Sequence, residues 1–335
     1  MTNRTAFGKT CLRMPAVHHG ESGLTIVELM VAMTVGMLVV LAATSLFLST
    51  KTGYIFQDEG ARLQETGRYA IESITRAVRQ AGHENWGNDA AAFLSTPEIS
   101  ANIAGLDASS LKESDPGIDA PLSKSINGSD VLAVRFIGSG TGTGGDGTLL
   151  NCAGFGVAQP INLEIDRGWS IFYVAADKSG EPELRCKYFG KTSWNTEAIA
   201  RGIESFQVLY GIDTDADGLS NQFLTASAIN KLDTLLLLEG PNASSRNIDK
   251  NRKTHWKKVV ALKIAILVRS GQVARADPQA REYDLFGKDY ADMNAAIDVG
   301  TRVKEAGMSA ANRNRHRKIF VSTIQLRNHA AGSGT

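Results

Sequence analysis

Residues 23–50 read GLTIVELMVAMTVGMLVVLAATSLFLST. From Leu24 to Leu48 the run carries one charge, Glu28. A helix over that run is roughly 37 Å long, enough to cross a hydrocarbon core of about 30 Å with some tilt. Arg4, Lys9 and Arg13 precede it against Glu21, while Lys51, Asp58 and Glu59 follow it. The positive-inside rule keeps the N-terminus cytoplasmic and exports the rest. A secretory signal peptide has a shorter apolar region with its small-residue cleavage site after it. Here the run is longer, and Ser22 and Gly23 lie before it. A plain membrane anchor leaves Glu28 unexplained. A carboxylate inside a membrane costs on the order of 3 kcal/mol on insertion scales, so it ordinarily has a partner or a task.

Gly23-Leu24-Thr25-Ile26-Val27-Glu28-Leu29 resembles the type III signal of type IV pilins and of type II secretion pseudopilins. The resemblance implies that a prepilin peptidase cuts between Gly23 and Leu24 on the cytoplasmic face and methylates Leu24. The mature chain then starts at Leu24, where the family usually has Phe, and Glu28 is its fifth residue. The new amine is a buried cation. Glu28 of a neighbouring subunit neutralises it, which sets register during assembly and accounts for a costly carboxylate.

The remaining composition is unremarkable for a folded chain. Of 335 residues, 43% are hydrophobic and 21% charged, with 33 Gly and only 8 Pro. Lys+Arg at 36 against Asp+Glu at 35 leaves a net charge of +1, so there is no global basic field for nucleic acid. The leader removes Cys11, leaving Cys152 and Cys186 on the exported side. An even pair in an oxidising compartment reads as one disulfide, worth about 4 kcal/mol in the chain-entropy account; two free buried thiols are the alternative.

The helix continues past the membrane. Leu63, Gly67, Ala70, Ile71, Ile74, Ala77, Val78 and Ala81 recur at three- and four-residue steps, with Arg62, Glu65, Arg68, Glu72, Arg76 and Arg79 between them. Gly82 suits the C-terminal end. Gly53, Gly60 and Gly67 fall seven apart and share a face, as tolerated glycines or as sites of close helix approach. Strand-like runs follow at Val131–Ile137, Trp169–Ala176, Leu184–Phe189, Phe206–Tyr210, Val259–Val268 and Ile319–Leu326. Alternation at 264–269 matches a sheet face.

The order as a whole resembles the PilW-type minor pilins. The likeness rests on residues 60–70 (GARLQETGRYA), Trp169–Ala176 with Asp177 and Gly180, Leu184-Arg185-Cys186, residues 203–211 (IESFQVLYG), residues 213–218 (DTDADG), and Gln325-Leu326-Arg327-Asn328. It implies an α+β type IV pilin fold, a long N-terminal helix packed on a C-terminal antiparallel sheet. The expected organisation is a cleaved leader 1–23, an apolar membrane and assembly helix 24–48 and its amphipathic continuation 49–82. An irregular segment 83–128, a β-rich body 129–328 and a tail 329–335 complete it. Residues 228–256 and 271–316 match nothing and read as insertions or surface loops.

Few patterns suggest chemistry. Gly140, Gly142 and Gly145 space like a dinucleotide fingerprint, but Asp146-Gly147-Thr148 and a cysteine loop follow where a helix is required. Asp213, Asp215, Asp217 and Gly218 begin like a Ca²⁺ loop. Leu224 stands where an EF-hand has its closing Glu, and Asn221 offers a later oxygen, so a structural calcium or a solvated acidic turn are both open. His18, His19, His83, His255, His316 and His329 show no metal-ligand spacing outside the leader. The basic runs 250–258 and 313–318 read as solvated surface, and no nucleic-acid partner is expected.

The resemblance implies a non-enzymatic minor pilin of a tip or initiation complex, without a certain cofactor, serving adhesion, twitching motility or DNA uptake. Its partners are major and other minor pilins, a tip adhesin, the inner-membrane assembly platform and the prepilin peptidase. Before assembly it is a single-pass inner-membrane protein with a periplasmic body; afterwards it is at the pilus surface. A type II pseudopilin and a membrane-anchored periplasmic binding protein or enzyme are the rivals.

Overall fold

A computed structural model describes residues 23–84, 96–273 and 279–328. The leader before Gly23, with Cys11, His18 and His19, and the tail from His329 lie outside them. By its contacts the chain divides between Tyr54 and Ile55, and each part is described by itself.

Helix α1 is Ile26–Arg79. No proline interrupts it, and straight-chain and small residues dominate it, as helix propensity requires. Backbone turns at Gln80, Ala81 and His83 close it, with Gly82 in the left-handed region at φ +63°. From Ile55 onward one face is buried: Leu63, Ala70, Ile74, Ala77 and Val78 are all at most 3% exposed. The charged residues between them stay outward, so the amphipathic reading holds.

Where one antiparallel sheet is expected, the described residues form two and a small ribbon. Strands β1 (Ile103–Leu106), β2 (Val131–Phe136), β3 (Gly168–Ala176), β4 (Pro182–Phe189) and β5 (Trp194–Arg201) form a meander in chain order. Strand β6 (Ile203–Ile212) starts a second sheet with β7 (Gln222–Leu224), β8 (Val259–Val273) and β11 (Arg315–Gln325), in the order β11-β8-β6-β7. Strands β9 (Glu282–Asp284) and β10 (Arg302–Lys304) make the ribbon. All pairings are antiparallel. One apolar core joins α1 to both sheets. Leu132 and Val134, Phe172 and Val174, and Phe206, Val208 and Tyr210 enter it from alternate positions on three strands.

Several expected loops are structured. Segment 83–128 contains β1, paired to β2 from Ile103↔Val134 to Leu106↔Val131. Residues 228–256 contain most of α2 (Ala226–Asp233), all of α3 (Ala243–Lys253) and the start of a 3₁₀ turn at His255–Lys258. Thr225 caps α2, and the Asp107 carboxylate accepts the Ala226 and Ser227 N–H groups. Residues 279–314 carry β9, α4 (Lys288–Asn294) and β10. The alternation in β8 is real, but both of its faces are buried. Leu262, Ile264 and Ile266 face the main core, while Ala265 and Leu267 meet Leu285 and Val303 of the insertion.

That insertion is seated by buried ion pairs. Arg317 of β11 is paired with Glu204 of β6 and, at 2.9 Å, with Glu305. Arg269 of β8 bridges Glu204 at 3.0 Å and Glu181 at 2.6 Å. Arg315, 3.2 Å from Glu181, and Arg317 therefore do not form the solvated basic patch that the sequence suggested; they are spent on carboxylates of the body. Residues 250–258 likewise form the end of α3 and a 3₁₀ turn rather than an open loop. Trp256 is 8% exposed, and its indole N–H donates to Asn230 at 2.8 Å.

Cys152 and Cys186 are bonded, with Cα atoms 5.8 Å apart. The bond ties the β2–β3 connection to β4. Gly140, Gly142 and Gly145 all have positive φ within that connection. No helix follows them before β3, so the phosphate-cradling context is missing.

Candidate functional site

The N-terminal segment is the first candidate. Gly23 and Leu24 are exposed, Leu24 at 78%. Thr25 precedes the helix. Its N–H and hydroxyl both donate to Glu28 Oε2 at 3.0 Å, and the Glu28 N–H donates to Thr25 Oγ1 at 3.2 Å. This is a reciprocal capping box, Thr-x-x-Glu, which satisfies N–H groups that a helix start leaves open. The sequence reading missed it, although the spacing was legible. Glu28 therefore has a local structural task in addition to any partner across subunits. Glu also suits the positive end of the helix dipole.

Beyond Glu28 the helix offers an apolar surface without cover of its own. Its exposed large side chains run from Leu29 at 53% to Leu46 at 70%. This stretch belongs to the one described helix long and apolar enough to cross a membrane. An apolar surface of that length requires lipid or other helices around it.

The acidic loop is the second candidate. It joins β6 to β7. Oxygens of Asp213, Asp215 and Asp217 lie within 4.8 Å of one another. Asp213 Oδ1 accepts the N–H groups of Asp215 and Ala216, and its Oδ2 accepts that of Gly218 at 2.8 Å. Partial desolvation raises the Asp213 pKa, but these three amides outweigh it and hold the carboxyl below its ordinary range. Ala216 and Gly218 have φ of +64° and +83°, so the chain curls around the first carboxylate. Asn221 Oδ1 accepts from Thr214, and its amide donates to Asp215 at 3.2 Å. The three carboxylates thus converge as an oxygen set of the kind a hard divalent cation takes, while Asn221 turns its amide N–H toward Asp215. The same bonds also make the loop self-supporting.

The other histidines form no constellation among the described residues. His255 Nδ1 lies 2.7 Å from Asp233, and the same carboxylate accepts the Thr254 hydroxyl and the His255 N–H, locking α2 to the 3₁₀ turn.

Family comparison agrees with both halves of this picture. The family model of the type IV pilus-assembly protein W matches residues 171–328, from β3 through β11. The prokaryotic N-terminal methylation motif matches residues 18–44. These two matches make the chain similar to the PilW-type pilins of the type IV pilus. No curated protein and no solved structure matches it. The motif and the apolar helix mark this PilW-type chain as a membrane-anchored pilin. The family also makes other pilus components its interaction partners.

Proposed function

We propose that this PilW-type chain is a minor pilin, a low-abundance structural subunit in the complex that initiates assembly at the pilus tip. The observation that carries the reading is the processing motif placed directly before an apolar half-helix whose large side chains are all exposed. Such a helix is stable in the membrane before assembly and among other helices afterwards. The prepilin peptidase cuts between Gly23 and Leu24 and methylates Leu24; Glu28 then meets the amine of a neighbouring subunit. The partners are major and minor pilins, a tip adhesin and the inner-membrane platform. The body is periplasmic before assembly and on the pilus afterwards, where it supports adhesion, motility or DNA uptake.

Mass spectrometry of the mature N-terminus, with and without the peptidase, tests the pathway. A methylated Leu24 terminus that disappears without the peptidase supports it. An intact Met1 terminus, or a cut after residue 48, overturns it. Proteomics of sheared filaments then separates a pilus subunit from a type II pseudopilin.

We also propose a structural calcium ion at Asp213, Asp215 and Asp217, supported by their convergence. Calorimetric titration of the detergent-solubilised chain should show heat that Asp215→Ala removes. No heat at millimolar calcium ends the idea.

A further inference from the structure

We propose that a cleft beside Glu59 receives a lysine or arginine side chain from a neighbouring pilin subunit. The cleft has a volume of about 380 Å³ and lies within the part of the chain beginning at Ile55. Glu59, Arg62 and Glu65 of α1 line one side; Glu181, Arg201 and Arg269 line the other.

Glu59 is 6% exposed. Its Oε2 accepts the Gly271 N–H at 3.1 Å, and its Oε1 has no donor among the described residues. A carboxylate so far removed from water is ordinarily paired. The arginines of the cleft are already committed. Arg62 pairs with Asp58 at 2.9 Å. Arg269 pairs with Glu181 and Glu204. Arg201 lies 3.7 Å from both Asp177 and Glu183. Glu65, on the exposed rim, has no ion pair among the described residues either. The cleft therefore holds one buried carboxylate, Glu59, short of a cation, with the solvated Glu65 on its rim.

The form of that cation follows from space and ligand number. The volume is many times the roughly 30 Å³ share of one water, so it suits an alkyl stem with a charged head. A hard metal ion needs several converging oxygens, and here one buried carboxylate faces open space. The partner is identified by continuity. The cleft lies on α1, and α1 is the element through which subunits meet in the filament reading on which this inference rests.

The test uses the full-length chain in piliated cells, with photoreactive p-benzoylphenylalanine at Thr66, which also lines the cleft. The expected result is a cross-link to a Lys- or Arg-bearing peptide of another pilin. Glu59→Lys should lower its yield about tenfold or more, as losing one partner of a buried charge pair does. Changing the identified basic residue to Glu in that background should restore it. Glu59→Gln keeps an acceptor for Gly271, so it should weaken the cross-link without changing the melting temperature. No cross-link to any subunit, a yield indifferent to Glu59→Lys, or a yield abolished by EDTA, which would mark a metal ion, overturns the proposal. The two readings fail differently. If the filament reading is wrong, no Leu24-initiated chain enters sheared filaments. If only this inference is wrong, the chain enters them equally with Glu59→Lys.

Discussion

Gly60 and Gly67 lie two turns apart on one helix, and they live in different environments. A Cβ on Gly60 would meet nothing within 4 Å. A Cβ on Gly67 would lie 2.2 Å from the Phe320 ring of β11. The contrast extends along α1. The half from Leu24 to Leu48 exposes its apolar side chains, whereas the stretch from Leu63 to Val78 buries them against the chain's own sheets. One half is complete within the molecule, and the other is complete only with something outside it. Substitutions in the two halves should therefore be read by different instruments: melting for the second, assembly for the first.

The largest effect that would sharpen this division is in the ion network behind β8. Glu204→Ala leaves Arg317 and Arg269 short of a carboxylate in a dry setting. It should cost about 3–5 kcal/mol of unfolding stability, measured by denaturant titration. In the same assay Glu28→Gln should change nothing, while its abundance in sheared filaments falls. Thr25→Val, which breaks the cap and keeps the charge, separates the two tasks of Glu28. If Thr25→Val reduces filament incorporation as severely as Glu28→Gln, which removes the charge and keeps a capping residue, the cap matters as well as the charge.

Next in size is the disulfide. Replacing Cys152 and Cys186 together by Ser should lower stability by about 2–4 kcal/mol, and reductant should have no further effect on that variant. Gly67→Ala should follow at about 1–3 kcal/mol, because the Phe320 ring has to yield. Gly60→Ala should instead be neutral or stabilising by up to about 1 kcal/mol through helix propensity. Equal losses at both positions would break the comparison.

The smallest effect is pH-dependent. Burial pushes the Asp298 carboxyl up to about 6, while its hydrogen bond from Tyr290 lowers it and the nearby Asp107 raises it. Asp130, buried in the same region beside Asp107, is also shifted well upward. A carboxyl with a raised folded pKa contributes stability that is full below its unfolded value near 3.8 and lost as pH rises through about 6. Asp298→Asn should therefore gain on the order of 1 kcal/mol relative to the parent at pH 8 and nothing at pH 3.5. A constant difference across that range would exclude the titration.

The N-terminal segment was the most legible part of the molecule. Its length, its single charge and the Gly23–Leu29 pattern are local properties, and the helix needs no tertiary partner to be recognised. The capping box between Thr25 and Glu28 was equally local and could have been found from its spacing. The six expected strands all exist, with ends shifted by up to five residues, because their β-branched and aromatic runs mark strands even where, as in β2 and β6, both faces are buried. Strand β1 was missed because four residues among turns carry too little pattern. Strand β5, with exposed Glu197 and Ala198 on an open edge, lacks an apolar stripe.

The sequence by itself determined what is written within a few residues of chain: the apolar helix, its processing motif, the acidic loop, and the two cysteines available for pairing. Only the tertiary structure decided what depends on neighbours distant in sequence. It divided the strands into two sheets, laid residues 279–314 over the second face of β8, and turned Arg315 and Arg317 inward onto Glu181, Glu204 and Glu305. It also left Glu59 buried without a cation. Charge and apolarity are properties of a residue, whereas burial and pairing are properties of a place, and the place exists only once the chain has folded around it.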